Sequence, residues 1–407
     1  MGRDRSEQKG DVKSLLVSNL YFPPQRGGIS HFMGSIAKAL GPQRVCCLTS
    51  VSADGSGGEV EAEGVRVYRR SLAFSPVTAI QAAGLGLAYA EIMARERPRV
   101  VQLAMAYEGT VGLWGHRMLG LPFVIYAHGN EILDAGQAQW KKPLLALRQA
   151  ARVFANSRFT GELVKQVGVD PSRVAIVRPG CDVEEFRPQE PERAFRERLL
   201  GAHSNSRVLL TVGLESLKGH DMVIRALPSL LKSFPDVTYL VVGGGSQERL
   251  DVLARECGVR DHVIFTGRVA QSDLPAVYGL CEIFVMPSRQ DLAAHSVEGF
   301  GLVYLEASAS GKPVVGGRSG GVPDAVVEGT TGLLVDPLDP KDIAAALTRL
   351  LTNRDYARQL GEQGRVRTVG EFRWESVGRQ VQGLLNEVDL ENKRLRPGVS
   401  SGLEMEG

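Results

Sequence analysis

Two glutamates eight positions apart, Glu298 and Glu306, bracket the run Glu298-Gly-Phe-Gly-Leu-Val-Tyr-Leu-Glu306, and an apolar strand, Pro313-Val314-Val315, follows it. The pattern predicts a loop, Pro287 to Gly299, that delivers Glu298, and a helix from Phe300 or Gly301 to Ser310 that Gly311 stops. The first turn of a helix offers unpaired N–H groups and the positive end of its dipole, a ready seat for phosphate. Gly299 and Gly301 remove side chains where a ligand would approach that backbone. Glu298 ahead of the helix and Glu306 in its second turn can each accept hydrogen bonds from hydroxyls. An anion seat between two diol-gripping carboxylates suits a nucleotide sugar, with diphosphate in the middle, sugar on one side and ribose on the other. The residues around that seat are Phe300, Gly301, Leu302 and Glu306, with Glu298 just ahead of them. A plain strand-loop-helix with surface glutamates would share the spacing, so other residues have to be weighed with it.

Four further places carry chemistry. Gly27 and Gly28 follow the first strand and open a helix, again placing bare backbone where phosphate binds, although most Gly-Gly pairs are simple turns. His128 ends the strand Phe123 to Ala127 in the run Ala-His-Gly-Asn-Glu131; a histidine there is either a structural hydrogen-bonding residue or a cleft residue. Lys218, in Gly-Leu-Glu-Ser-Leu-Lys218-Gly219, stands just after a strand, where its ammonium can face a leaving diphosphate or simply solvent. Phe265-Thr-Gly267-Arg268-Val269 closes another strand. The Gly243-Gly244-Gly245 run does not fit G-x-G-x-x-G, because Glu248 stands at the third glycine, so a dehydrogenase is disfavoured. No H-E-x-x-H, D-x-D or Cys/His cluster is present, and no metal is expected.

Over roughly residues 14–388 the chain resembles the retaining glycosyltransferases of family 4, which have the GT-B fold. The E-x7-E run with its two glycines and the A-H-G-x-E run carry the resemblance. It implies that His128 lies beside the donor sugar, that the Gly28 loop closes over the diphosphate, and that Lys218 neutralises the leaving group. It also implies that the backbone around Arg268 and Val269 holds the base, and that no cofactor is needed beyond the nucleotide-sugar co-substrate. The wording of these runs is most similar to mannosyltransferases of the phosphatidylinositol-mannoside type. GDP-mannose is therefore the first expected donor, then UDP-glucose or UDP-N-acetylglucosamine, with a lipid-linked or glycan acceptor. The chain departs from the pattern at Leu214, where family members carry an arginine in G-R-L-x-x-x-K-G, and its loop is one residue shorter. Arg268 and Arg289 are the candidates to replace that charge.

The elements that must position these residues alternate almost from end to end. The first series of strands is Leu15 to Val17, Val45 to Leu48, Val65 to Val67, Val100 to Leu103, Phe123 to Tyr126, Val153-Phe154 and Val174 to Val177. The second is Val208 to Val212, Tyr239 to Val242, Val263 to Phe265, Ile283 to Val285, Pro313 to Val315 and Leu333 to Val335. Helical patterns lie between most of them, which predicts an α/β protein of two doubly wound, Rossmann-like parallel-sheet domains facing a cleft. The expected domains are residues 1–182 on the acceptor side and 183–370 on the donor side, with a helix over 371–388 crossing back and a disordered tail over 389–407.

The chain has 407 residues, 43% of them hydrophobic and 23% charged, which suits two globular domains. A net charge of +2 gives no case for nucleic acid. Five cysteines without a C-x-x-C pair read as reduced, mostly buried thiols of a cytoplasmic protein. The greasiest helix, Val77 to Ala94, is a poor membrane span. Residues Gln137 to Ala151 form a basic amphipathic helix headed by Trp140; it reads first as an ordinary surface helix and second as a peripheral contact with anionic lipid at the inner membrane face. Two rival functions stand beside transfer: a GT-B epimerase or phosphorylase, and a non-catalytic nucleotide-sugar binding protein, which the missing arginine would suit.

Overall fold

A computed structural model describes residues 10–25, 27–51, 57–71, 79–134, 140–291 and 295–395. Parts of four expected segments lie outside the described residues: 77–78, 137–139, 292–294 and 396–407. The chain divides into two compact units, Met1–Pro179 with Trp374–Gly407, and Gly180–Arg373.

The first unit holds β1 (Ser14–Ser18), β2 (Val45–Ser50), β3 (Gly58–Ala62), β4 (Val65–Arg70), β5 (Val100–Leu103), β6 (Phe123–Ala127), β7 (Arg152–Ala155) and β8 (Val174–Ile176). They form one sheet in the order β3-β4-β2-β1-β5-β6-β7-β8. Strands β1, β2, β5 and β6 are buried nearly throughout and form parallel pairs, the run of apolar residues expected of a sheet covered on both faces. The sheet is not wholly parallel: β3 pairs antiparallel with β4 through a tight turn at Glu63-Gly64. Its sequence, Gly-Glu-Val-Glu-Ala, is mostly exposed, so it lacks the apolar run by which the other strands are recognised.

The helix Trp374–Leu395 completes this unit. It buries Trp374, Val377, Val381, Leu385 and Val388, spaced three or four apart, and packs on the helix Gly28–Leu40. Polar ties reinforce it: Gln382 donates to the Val12 carbonyl (3.0 Å), and Val12 N–H donates to Asn386 (2.8 Å). This helix outruns the expected end near 388 and corrects the expected disorder for residues 389–395. Asp389 pairs with Arg99 (2.9 Å), Glu391 pairs with Arg152, and Asn392 bonds the Gly120 carbonyl, so polar residues at its end have partners in the unit.

The second unit holds β9 (Arg207–Val212), β10 (Val237–Val242), β11 (Val263–Gly267), β12 (Ile283–Met286), β13 (Val314–Gly317) and β14 (Gly332–Val335), all parallel in the order β11-β10-β9-β12-β13-β14. Successive strand residues feed opposite layers. Leu209, Val241 and Val285 pack with Ile224 and Leu347 on one side. Leu210, Val242 and Phe284 pack with Tyr278 and Tyr304 on the other. The chain moves outward from β9 to β11 and returns at β12 beside β9, so the strand order reverses between β9 and β12. The loops leaving the carboxyl ends of those two strands border the crevice where such sheets take ligands.

Four cysteines, Cys46, Cys47, Cys181 and Cys281, are buried; Cys257 is partly exposed, and all five are free thiols. Among the described residues no helix is long and apolar enough to cross a membrane.

Candidate active site

Both loops at the reversal point of the second sheet carry residues singled out by the sequence. The loop after β9 makes a short turn, Ser216–Lys218, and holds Lys218 almost buried. Its Nζ lies 3.6 Å from Oε2 of Glu298, 3.7 Å from Oε2 of Glu215 and 3.5 Å from the Met286 sulfur. Glu298 arrives on the loop after β12, where Ser288 Oγ donates to its Oε2 at 3.4 Å, and its carbonyl accepts the Gly321 N–H at 2.8 Å. A cation and a carboxylate are thus brought together from loops eighty residues apart in sequence (298 − 218 = 80).

The helix that follows is Leu302–Ala309, one turn's fraction later than the expected start, with Gly301 at its N-cap. Gly301 has φ 91°, and a Cβ there would overlap the Tyr304 ring, so the position requires glycine on both counts. No side chain caps this helix, which leaves first-turn N–H groups for an outside acceptor. Phe300 offers only its backbone: its ring is buried against Phe372, with centroids 5.9 Å apart. Leu302 is half-buried.

Glu306 sits on the same helix, half-buried, and its Oε2 accepts the Tyr278 hydroxyl hydrogen at 2.6 Å. Burial pushes its carboxyl up to about 7; the Tyr278 hydrogen bond pulls it back, Glu185 raises it and Lys218 lowers it. Tyr278 was absent from the sequence reading. It lies 28 residues before Glu306 in an apolar helix, Leu274–Leu280, with no local pattern tying it to the glutamate.

The two candidate replacements for the missing arginine differ. Arg289 is engaged, with Nη1 on both Asp221 oxygens (2.9 and 3.0 Å) and its N–H on the Leu217 carbonyl (2.9 Å), so it staples the two loops together. Arg268 is exposed and has no ion pair among the described residues. Its side chain lies across Gly244, so close that a Cβ there would overlap its Nε, and Leu214 packs against the adjoining Gly245. Val269 follows, half-buried against the core. His220, which follows Lys218 and Gly219, is buried; its Nδ1 bonds the Tyr239 hydroxyl at 2.8 Å, and burial, then the Lys218 charge, pushes it down to about 4.

The carboxyl edge of the first sheet carries the other candidates. Gly27 caps the helix Gly28–Leu40 without a side-chain bond, and Gly28 is exposed. His128 follows β6 directly, with its Nε2 2.9 Å from the Ala104 carbonyl oxygen, which can only accept. Nε2 therefore carries a proton. Phe32 packs edge-on against that ring, the His128 N–H donates to Glu131 (2.5 Å), and Asn156 donates to the His128 carbonyl (3.1 Å). Glu108, another residue missed in the sequence, accepts the N–H groups of Asn19 (3.0 Å) and Met105 (2.7 Å) and ties the loops after β1 and β5. Burial pushes its carboxyl up to about 7 against those bonds. In the basic helix, Lys141–Gln149, the expected anchor Trp140 is fully buried against Tyr107, with ring centroids 4.9 Å apart, and is closed to a membrane. Among the described residues no group of three His, Cys, Asp or Glu side chains could hold a metal ion.

Two doubly wound units, the second with an uncapped helix and paired polar groups at its strand reversal, have the architecture of the GT-B glycosyltransferases. A solved sucrose-phosphate synthase from Thermosynechococcus elongatus shares the fold, with a TM-score of 0.76 and 22% identity over 93% of this chain and 100% of that one. Residues 26–185 match the family described as Glycosyltransferase Family 4, and residues 194–367 match Glycosyl transferases group 1. The chain is 31% identical over 380 residues, 92% of its length and 98% of the relative's, to the GDP-mannose-dependent alpha-(1-6)-phosphatidylinositol monomannoside mannosyltransferase of Mycobacterium tuberculosis. It is 33% identical to the Mycolicibacterium smegmatis enzyme of the same name, over 91% of this chain and 98% of that one. The chain belongs to glycosyltransferase family 4 and is a hexosyltransferase.

Proposed function

We propose that this chain is a retaining mannosyltransferase that moves mannose from GDP-mannose to a lipid-linked acceptor of the phosphatidylinositol-mannoside kind. The observation that supports it most is the Lys218–Glu298 pair, 3.6 Å apart beside the uncapped Leu302–Ala309 helix, in a chain 31–33% identical to enzymes named for that reaction. In this reading Glu298 accepts from the sugar hydroxyls and Glu306 from the ribose. The diphosphate lies between them on the first-turn N–H groups and Lys218.

The bond from the sugar's C1 to the diphosphate oxygen breaks as the acceptor oxygen bonds C1 on the same face. The acceptor's proton passes to the departing phosphate. Negative charge grows on the diphosphate during this step, and Lys218 and the helix start are already aimed at it, so they count more in the transition state than before it. No metal is needed in this account, and transfer that stops in excess EDTA would oppose it.

The test is incubation of the purified protein with GDP-mannose and phosphatidylinositol mannoside, with NMR assignment of the new anomeric centre. An α-mannoside is expected, and an inverted centre would overturn the mechanism. A thermal-shift panel of GDP-mannose, UDP-glucose and UDP-N-acetylglucosamine assigns the donor, because a ligand at 100 times its Kd stabilises by about 2.7 kcal/mol. One observation favours binding without transfer: Leu214 stands where the diphosphate expects an arginine. Binding of GDP-mannose with neither hydrolysis nor transfer would support that reading instead.

A further inference from the structure

The Glu306 carboxyl is held by a residue with no place in the sequence motif. Tyr278 is fully buried, packed between Phe186 (5.6 Å between centroids) and Phe284 (5.8 Å), so its ring cannot swing. Its hydroxyl donates to Oε2 of Glu306 at 2.6 Å. Among the described residues Oε1 accepts no hydrogen bond. We propose that Tyr278 is a positioning residue for nucleotide recognition: it fixes the rotation of the Glu306 carboxylate and presents Oε1 to the ribose hydroxyls. The inference rests on the reading of Glu306 as the ribose carboxylate and adds the residue that makes the glutamate fit to serve.

The surroundings explain why such a residue is needed. Cys181 and Glu185 face Glu306 from the start of the unit, Tyr278 from the helix Leu274–Leu280, and Lys218 from the loop after β9. Arg365, on the helix Arg354–Glu371, is engaged by the carbonyls of Ala309 and Phe186. Burial favours the neutral acid, and Glu185 adds to it, leaving only the Tyr278 hydroxyl and the Lys218 charge to favour the carboxylate. A neutral acid presents fewer acceptor sites, so a diol gripped through Glu306 binds less well as pH falls through about 7. Removing the hydroxyl raises that midpoint.

The experiment is calorimetric titration of GDP and of 2′,3′-dideoxy-GDP into the full chain, its Tyr278→Phe variant, its Glu306→Gln variant and the double variant, between about pH 5.5 and pH 8.5. Tyr278→Phe keeps the ring in place and is expected to weaken GDP about tenfold near neutral pH. It should move the midpoint of the affinity profile upward, leave the dideoxy nucleotide unchanged, and add little to Glu306→Gln. An equal loss for both nucleotides, or additive losses in the double variant, overturns the proposal. Carbon NMR of the nucleotide-free protein provides a readout independent of binding: the Glu306 carboxyl should titrate at higher pH in Tyr278→Phe. In the unmodified chain the Tyr278 ring signals should follow the Glu306 midpoint, and failure of both also overturns the proposal. If Glu306→Gln binds GDP unchanged, the ribose reading falls by itself, while the NMR titration still decides whether Tyr278 governs the carboxylate.

Discussion

Lys218 has two carboxylates within 3.7 Å before any ligand arrives, Glu298 and Glu215, so its charge is held at the loop edge and is not lost to solvent. On the proposed reading, an incoming diphosphate would compete for that charge and release Glu298 toward the sugar. Lys218→Ala should therefore lower kcat about tenfold to a hundredfold, equivalent to about 1.4–3 kcal/mol of transition-state stabilisation; a steady-state assay with GDP-mannose checks it. The two glutamates should separate cleanly. Glu298→Ala is expected to damage transfer while GDP affinity stays nearly intact, whereas Glu306→Gln should weaken free GDP and full donor alike by about 1.5–3 kcal/mol. Equal losses for GDP and for the full donor in Glu298→Ala would mean that the assigned direction of the site is reversed. Glu298, Glu306 and Lys218 could be singled out because glycines mark the strand ends and the helix start near them in the chain. Tyr278 and Glu108 were not, since what makes them matter is a contact across tens of residues, inside helical or apolar stretches that read as plain core.

At the scale of elements, the loop after β9 is shorter than the family pattern, and its leucine packs toward Gly245 instead of meeting an anion. Arg289 is held by Asp221, so of the two candidate arginines Arg268, which lies across Gly244, is the one left to turn to a diphosphate. Arg268→Ala should weaken GDP much more than guanosine, as measured by calorimetry, because only a phosphate contact is lost. Equal affinities for both ligands before and after the change would end the compensation idea. The Gly301 cap gives a second test: Gly301→Ala places a Cβ at φ 91° and into the Tyr304 ring, and should cost about 1–3 kcal/mol in stability with a parallel loss of GDP affinity. Strands with unbroken apolar runs were found from sequence to within a residue or two. Strand β3 escaped because a two-sided polar strand has no apolar period, and the end of the helix Trp374–Leu395 escaped because Asp389 and Glu391 look like tail until Arg99 and Arg152 are seen beside them.

At the level of the whole molecule, a charge network in the first unit centres on Glu96. Glu96, nearly buried, accepts from Lys13, from Arg66 (2.5 Å) and from Tyr68 (2.7 Å). Burial raises its carboxyl, but these bonds together outweigh burial and hold it down at about 2. A carboxyl depressed on folding contributes stability above its unfolded value near 4.5 and loses that contribution as pH falls toward 2. Glu96→Gln should therefore destabilise the chain by about 2–3 kcal/mol near neutral pH and by little near pH 2, as read from urea denaturation. A pH-independent loss would assign the effect to packing instead.

The unit that opens the chain is also the unit that closes it, with residues 180–373 inserted between its two parts. During synthesis the inserted unit is complete in sequence once Arg373 has emerged. The earlier unit still lacks the helix that covers Gly28–Leu40 and bonds Val12. The later half of the protein can thus finish folding first, and the nascent chain carries an uncovered apolar helix face through most of its translation. Chaperone capture should accordingly map to the region of Phe32, Ile36 and Leu40, and end when Trp374–Leu395 clears the ribosome.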